Sequence, residues 1–380
     1  MRDLYFGLDL GHHEIKLSVL EEDNFGKFII HNQSIKNEYL KGGEILEIES
    51  LVDLLENLIY NTINSFNINK INELTVCLNL PNFQNYTQKG YTFIENNVTK
   101  NDITKAINTA RTSLIINNQE ILLEESIKFI LDNNQEIRDP LGFAGRRLDV
   151  EVFFISCQKN ILDKIRHIFN ELKINNIKFC PSFYAASKIC LNKKDKEIGV
   201  GILDLGAEIT TLAIFQYGKL IHYKSFNFGG ENLTQDLAIY LKADVEEAEK
   251  IKIDFFNNHL IKDKNKNIKI KKFIEKKIKD YFERDNLKQY LKEIKSYYKL
   301  PSGIILTGSF AKIIDLDNLL KNLFDIHLKL CKDELKIFEK DEDILKYSAS
   351  AGCALITREN NYESKNDWFK KIKDFFSFRY

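Results

Sequence analysis

The sequence predicts an α/β protein built from two related halves around a cleft, and three observations carry that expectation. The tetrapeptide LDLG occurs twice, around Asp9 and around Asp204, each time between apolar runs. Each copy is followed by the same grammar of strand, turn and strand. A third apolar strand, GIILTG from Gly303 to Gly308, also ends in glycine. A chain of 380 residues is long enough for two such units.

The elements follow in order. After the first LDLG, EIKLSVLEEDNFGKFIIHNQSI alternates as a hairpin with its turn at Asn24-Phe25-Gly26. Ser50 is expected to cap a helix whose apolar residues Leu51, Leu54, Leu55, Leu58 and Ile59 recur at helical spacing. ELTVCLNLP is a buried strand closed by Pro81. Residues 82–157 read as an α+β insertion with a helix capped near Asn101, and a helix from Ile161 to Leu172 resumes the main body. FCPSFYAASKICL begins another helix just before the second LDLG. The second half then gives the strand TTLAIF, a turn at Tyr217-Gly218, the strand IHYKSFNF, and a helix from about Leu233.

Between Lys262 and Lys299, thirteen lysines and one arginine stand against six acidic side chains. Leu287, Tyr290, Leu291, Ile294, Tyr297 and Tyr298 fall there at helical spacing, so a packed helix with a solvated basic face is one reading and a docking site for an acidic partner the other. The chain as a whole balances 55 basic against 55 acidic side chains, which argues against nucleic acid. Six cysteines without a C-x-x-C pair read as reduced thiols in a cytosolic protein. The N-terminus lacks the pattern of a signal peptide, and no apolar run approaches the ~20 residues of a membrane span.

An Asp followed two residues later by Gly at a strand end places a carboxylate beside a turn whose N–H groups are free to face an anion. Two such turns facing each other grip phosphates, with their carboxylates holding a hydrated Mg²⁺ between them. One copy alone is most simply a tight turn; two copies and the Gly-ended third strand favour the cleft. The adjacent pair His12-His13 points in two directions and is not read as a metal site.

The ordered set LDLG, LDLG, FGGENLTQDLAIYL, AEKIK, ILTGSFAKI and YSASAGCALI resembles the actin-like ATPases, and within them the FtsA cell-division family. DPLGFAGRRLDVEVFFISC is similar to the end of that family's inserted subdomain 1C, and the terminal DWFKKIKDFFSFRY to its amphipathic membrane-targeting helix. The resemblance implies an actin-like, ribonuclease H-like duplicated two-domain fold. Subdomain 1A would be 1–81 and 158–196, the inserted 1C 82–157, 2A 197–232 and 301–356, and 2B 233–300, followed by a linker 357–365 and the helix 366–380.

It further implies that ATP and Mg²⁺ bind between the halves. Asp9, Gly11 and His12 would form the first phosphate loop and Asp204, Gly206 and Ala207 the second, with Asp9 and Asp204 toward the metal. Gly229, Gly230 and Lys250 would lie near ribose and adenine, and Gly308 and Ser309 on the opposite wall. The first loop departs from the family in His12-His13, the second in Ala207-Glu208-Ile209-Thr210-Thr211. No carboxylate occurs between Cys180 and Cys190 to orient a water, so hydrolysis is expected to be slow at most.

The implied partners are the C-terminal tail of the tubulin-like FtsZ at 2B, further copies of the chain in a filament, other division proteins, and anionic membrane lipid. The implied location is the cytoplasmic face of the cell membrane at the division site, held peripherally. On a helical wheel Trp368, Phe369, Ile372, Phe375, Phe376 and Tyr380 fall within an arc of about 140°. The same stripe also suits a helix docked on the body. Two alternatives remain: a pilus-assembly scaffold of the PilM type and a soluble actin-like sugar kinase, both lacking the terminal anchor.

Overall fold

The computed structural model describes residues 3–23, 28–133, 135–256, 264–284, 287–313, 316–321, 326–339 and 341–377, and their side chains except at some positions, among them 295–297 and 363–377. In the first half, β1 (Asp3–Leu10), β2 (Glu14–Glu22) and β3 (Phe28–Lys36) form an antiparallel meander. The ribbon of β4 (Leu40–Lys41) and β5 (Glu44–Ile45) leads to α1 (Ile48–Phe66), and β6 (Leu74–Leu78) returns parallel to β1.

Next comes a separate antiparallel sheet of β7 (Gln84–Phe93), β8 (Gln119–Leu131), β9 (Gln135–Ile137) and β10 (Arg147–Gln158), with α2 (Lys100–Thr112) between β7 and β8. Its small core, Val98, Ala106, Ala110, Leu148, Val150, Val152 and Phe154 among others, is its own. Then α3 (Lys159–Glu171) and β11 (Ile177–Pro181) complete the first sheet, whose order is β11-β6-β1-β2-β3.

After α4 (Ser182–Cys190) and α5 (Lys193–Ile198) the pattern repeats. β12 (Val200–Leu205), β13 (Thr210–Gln216) and β14 (Lys219–Phe226) form the second meander. Four helices follow, α6 (Gly230–Leu241), α7 (Val245–Phe256), α8 (Lys264–Arg284) and α9 (Leu287–Tyr297). Then come β15 (Ile304–Thr307), a 3-10 turn at Ser309–Lys312, α10 (Leu316–Lys321), β16 (Leu328–Leu330) and α11 (Asp341–Ser377). The second sheet, β14-β13-β12-β15-β16, has the order and pairing of the first, with two antiparallel ladders on one side of the central strand and two parallel ones on the other.

The layer between the sheets is made by α4 and α11. Gly7 on β1 and Gly352 on α11 have no room for a methyl: a Cβ on Gly7 would stand 2.2 Å from the Ala354 nitrogen, and one on Gly352 1.9 Å from the Ala185 oxygen. Thr357 fastens the contact by donating to the Phe6 carbonyl at 2.8 Å. Strand β12 is buried on both faces, Val200 and Ile202 joining the core of the first half and Leu203 and Leu205 that of the second, as expected for a central strand covered on both sides.

Several local expectations are met. Ile161, Leu162, Ile165, Ile168 and Phe169 are all buried on α3, and Tyr217 and Gly218 both adopt positive φ in the β13–β14 turn. Leu287, Leu291 and Ile294 are buried on α9. The Asn24-Phe25-Gly26 turn lies outside the described residues.

Others are corrected. Helix α1 starts before Ser50, with Glu47 at its N-cap; the Ser50 hydroxyl donates to the Glu47 carboxylate instead of capping. Helix α2, expected to be capped near Asn101, takes Thr99 as its N-cap, because Thr99 and Asp102 satisfy each other's backbone N–H groups reciprocally. The thiols are not all reduced: Cys190, at the end of α4, is joined to Cys331, just after β16, across 141 residues. Sequence distance concealed that adjacency. Residues 357–365, expected as a linker, are helical and continuous with both flanks in α11. TRENNYESK holds neither Gly nor Pro, so nothing in it stops a helix.

Candidate functional site

The two meanders deliver their turns to one cleft of about 270 Å³, on the scale of a small-molecule site. Asp9, Gly11 and His12 line it from the end of β1, and Asp204, Gly206 and Ala207 from the end of β12. Gly230 of α6 and Gly308 and Ser309 after β15 complete the set of sequence-expected residues that meet there.

Asp9 and Asp204 are both buried, at 8% and 7% exposure. Lys16, facing Asp9 across the β1–β2 ladder, donates its Nζ to Oδ2 at 2.9 Å. Burial alone would lower the Lys16 ammonium, but the charge and hydrogen bond of Asp9 raise it above the usual lysine value. Among the described residues, Asp204 has no ion-pair partner. It accepts from Ser182 Oγ at 2.8 Å, and burial pushes its carboxyl up to about 6, the Ser182 hydrogen bond opposing and the charge of Asp9 reinforcing the shift.

The second turn is held from behind by α6. The N–H groups of Gly230 and Glu231 donate to the carbonyls of Gly206 and Ala207 at 3.0 and 2.8 Å. Gly229 is not among the described lining residues. A Cβ there would meet the Ala207 and Gly206 oxygens at 2.4 and 2.5 Å, so it serves the close packing of helix on turn.

Lys250 also stands elsewhere than expected, exposed on α7 and away from the described lining. The lysine in the wall is Lys252, which is buried and donates to the Gly230 carbonyl at 3.1 Å and to Thr234 Oγ1 at 2.7 Å, with Glu249 at 2.6 Å. Two residues apart on a helix point to opposite sides, and the sequence AEKIK did not tell which lysine faced inward. Lys16, Asn79, Ser182, Lys346 and Glu249 also line the cleft and were not named from the sequence. For Lys16 a signal existed, a lone cation in an apolar strand facing a buried acid.

The donor set suits a phosphorylated ligand. Lys16, Lys252, Lys312 and Lys346 all line the cleft, and His12, buried at 9% exposure, has an Nε2 without a hydrogen-bond partner. Burial lowers the His12 imidazole, against the opposing charges of Glu208 and Asp9. A divalent cation fits the same place, since it would offset the two buried carboxylates, Asp204 above all. Ile253, Phe310 and Leu345 also line the cleft and offer apolar surface to a ring.

Trp368, Phe369, Ile372, Phe375 and Phe376 lie on the part of α11 whose side chains are outside the described residues, as is Tyr380 altogether. Among the described residues, no helix is long and apolar enough to cross a membrane.

Comparison with known proteins adds the relatives. A family model described as Cell division protein FtsA matches residues 201–352, and one described as the SHS2 domain inserted in FTSA matches 84–156. The Cell division protein FtsA of Bacillus subtilis (strain 168) is 30% identical over 258 residues, 66% of this chain and 57% of that protein's length. The Buchnera aphidicola (subsp. Baizongia pistaciae) protein of the same description is 26% identical over 87% of this chain and 84% of its own.

Among solved structures, a PilM-PilN type IV pilus biogenesis complex superposes with a TM-score of 0.66 at 15% identity, covering 93% of this chain and 98% of that one. MreB5 of Spiroplasma citri bound to ADP gives 0.50 at 13%, covering 94% and 98%. At such identities these two speak to fold alone, and the fold is actin-like. With the inserted unit and much of the second half matched by models of one family, and sequence similarity to its members extending over most of the length, the chain belongs to the FtsA family of cell-division proteins.

Proposed function

We propose that the chain binds an adenine nucleotide with Mg²⁺ between its halves, assembles through its body into filaments, and tethers FtsZ filaments to the cytoplasmic face of the membrane at the division site. The observation that carries the nucleotide reading is the meeting of two duplicated Asp-Gly turns, each with a buried carboxylate, at one cleft lined by lysines. Asp9 and Asp204 would face the cation, the turns the phosphates, and the apolar wall at Phe310 and Ile253 the base. Bound Mg²⁺ would supply charge neutralisation of the phosphates.

The residues of the cleft bind and orient rather than activate water. Helix α4 brings Ser182 to Asp204 and no carboxylate of its own, which supports slow hydrolysis or none. The inserted unit, residues 82–157, is offered as subdomain 1C, and α8 and α9, with their lysine excess, as the 2B surface that an acidic FtsZ tail would meet. Other division proteins would join the same assembly.

The family membership and the terminal aromatic pattern support the membrane role. Sedimentation with anionic liposomes tests it: the full chain pellets, a variant ending at Ser364 stays in the supernatant, and equal pelleting of both removes the anchor. Calorimetry with ATP, with and without Mg²⁺, tests the cleft independently.

A further inference from the structure

Where the chain crosses from the first half to the second, α5 lays Lys196 half-buried against α4 and β13. Its Nζ stands 5.1 Å from the centre of the Phe215 ring and donates to Ser187 Oγ at 3.4 Å. Two carboxylates lie near enough to act on it, Glu359 of α11 and Glu125 of β8, but each holds another lysine: Lys188 at 2.8 Å and Lys219 at 2.9 Å. On its own helix, Glu197 pairs with Arg138, and Asp195 accepts from the Ser302 hydroxyl at 2.7 Å. Three ammonium groups thus share two carboxylates. Lys196 is the one left over, with no carboxylate in contact among the described residues.

We propose that Lys196 is a modification site, at which the side-chain amine is acylated by a small activated acyl donor, an acyl phosphate. A lysine taken out of water beside a second ammonium is shifted toward its free amine, which is the nucleophilic form. Burial first and the Lys188 charge next push the Lys196 ammonium down to about 8, with Glu359 and Glu125 opposing. At a pH of about 7.5 that leaves roughly a quarter of the chains with a free amine here, against about one in a thousand for an ordinary lysine. In the transfer, Nζ attacks the acyl carbon and an N–C bond forms. The C–O bond to phosphate breaks, inorganic phosphate leaves with the electron pair, and the amine proton goes to water. The product is a neutral amide, which removes the surplus charge from the crossing between the halves. Lys193 and Lys194 share the same short helix but are exposed, so they are internal standards for an ordinary lysine.

The test is incubation of the full chain with acetyl phosphate at a pH of about 7.5, with acetyl occupancy followed over time, lysine by lysine, by peptide mass spectrometry. Lys196 should acquire the group at least about tenfold faster than Lys193 and Lys194, and the difference should vanish in urea, where no side chain is buried. Lys188→Gln frees Glu359 to pair with Lys196 and should slow Lys196 at least about threefold without changing the two standards. Circular dichroism confirms that this variant folds, and the comparison within the wild type stands without it. Acetylation of Lys196 no faster than that of its neighbours, a preference that persists in urea, or a Lys196 rate unchanged in folded K188Q overturns the proposal.

Discussion

Opposite Asp9, one strand over, stands Lys16; opposite Asp204, at the matching place in the second sheet, stands Thr211. The two sheets share strand order and ladder direction, so the backbone delivers both carboxylates to the cleft in the same way. One residue across the ladder then separates their chemistry. Asp9 has an ammonium at 2.9 Å, whereas Asp204 accepts from the Ser182 hydroxyl at 2.8 Å and has a carboxyl raised to about 6. A cation entering the cleft meets one acid already paired with an ammonium and another that, among the described residues, has no ion-pair partner. The shared topology supplies the geometry, and the residue facing each carboxylate differs between the halves.

The largest effect should come from removing the compensation. Lys16→Met leaves Asp9 buried without its partner and should destabilise the protein by about 3–5 kcal/mol, read by chemical denaturation. The double variant with Asp9→Asn should recover most of that loss. If the double variant is as unstable as the single, packing of the lysine stem and not charge explains the effect.

At the second turn the sign reverses. A carboxyl at 3.8 in the unfolded chain and about 6 when folded favours the folded state fully below about pH 4. That contribution is lost as pH rises through 6, leaving a penalty of about 3 kcal/mol against its low-pH value. Asp204→Asn should therefore stabilise the nucleotide-free protein by up to that amount at pH 7, with the gain fading toward pH 4, while weakening Mg²⁺-dependent nucleotide binding. A melting temperature that is unchanged at pH 7 would erase the asymmetry.

The smallest effects test how the second turn obtains positive charge from a neighbouring helix. Lys252→Ala should weaken nucleotide binding by about tenfold or more, the roughly 1.5–3 kcal/mol of a hydrogen bond to a charged group. Lys250→Ala, on the exposed face of the same helix, should change neither binding nor stability by more than about 0.5 kcal/mol.

The same contrast between pattern and position marks what the sequence made legible. The repeated grammar of strand, turn and strand follows from local alternation and turn residues, and the five core residues of α3 follow from helical period. The paired turns at the cleft were legible because a buried acid next to glycine has few uses. What escaped depended on rotation or on distance. Lys250 and Lys252 differ only in which side of α7 faces the cleft, and no local rule fixes that angle. Cys190 and Cys331 meet through the packing of α4 against the end of β16, a contact between the two halves of the chain. The Glu47 and Thr99 starts of α1 and α2 reflect a cap chosen among neighbours by less than a kilocalorie or two.

Because α11 runs unbroken from the interior to Ser377, its outer part behaves as a lever rather than a rope. Its inner half is clamped where Gly7 and Gly352 admit no side chain and Arg358 grips Glu22 with two hydrogen bonds of 2.7 Å. The nineteen residues of helix beyond Arg358 extend about 30 Å. A rotation of about 10° where the two halves meet would swing the far end by roughly 5 Å.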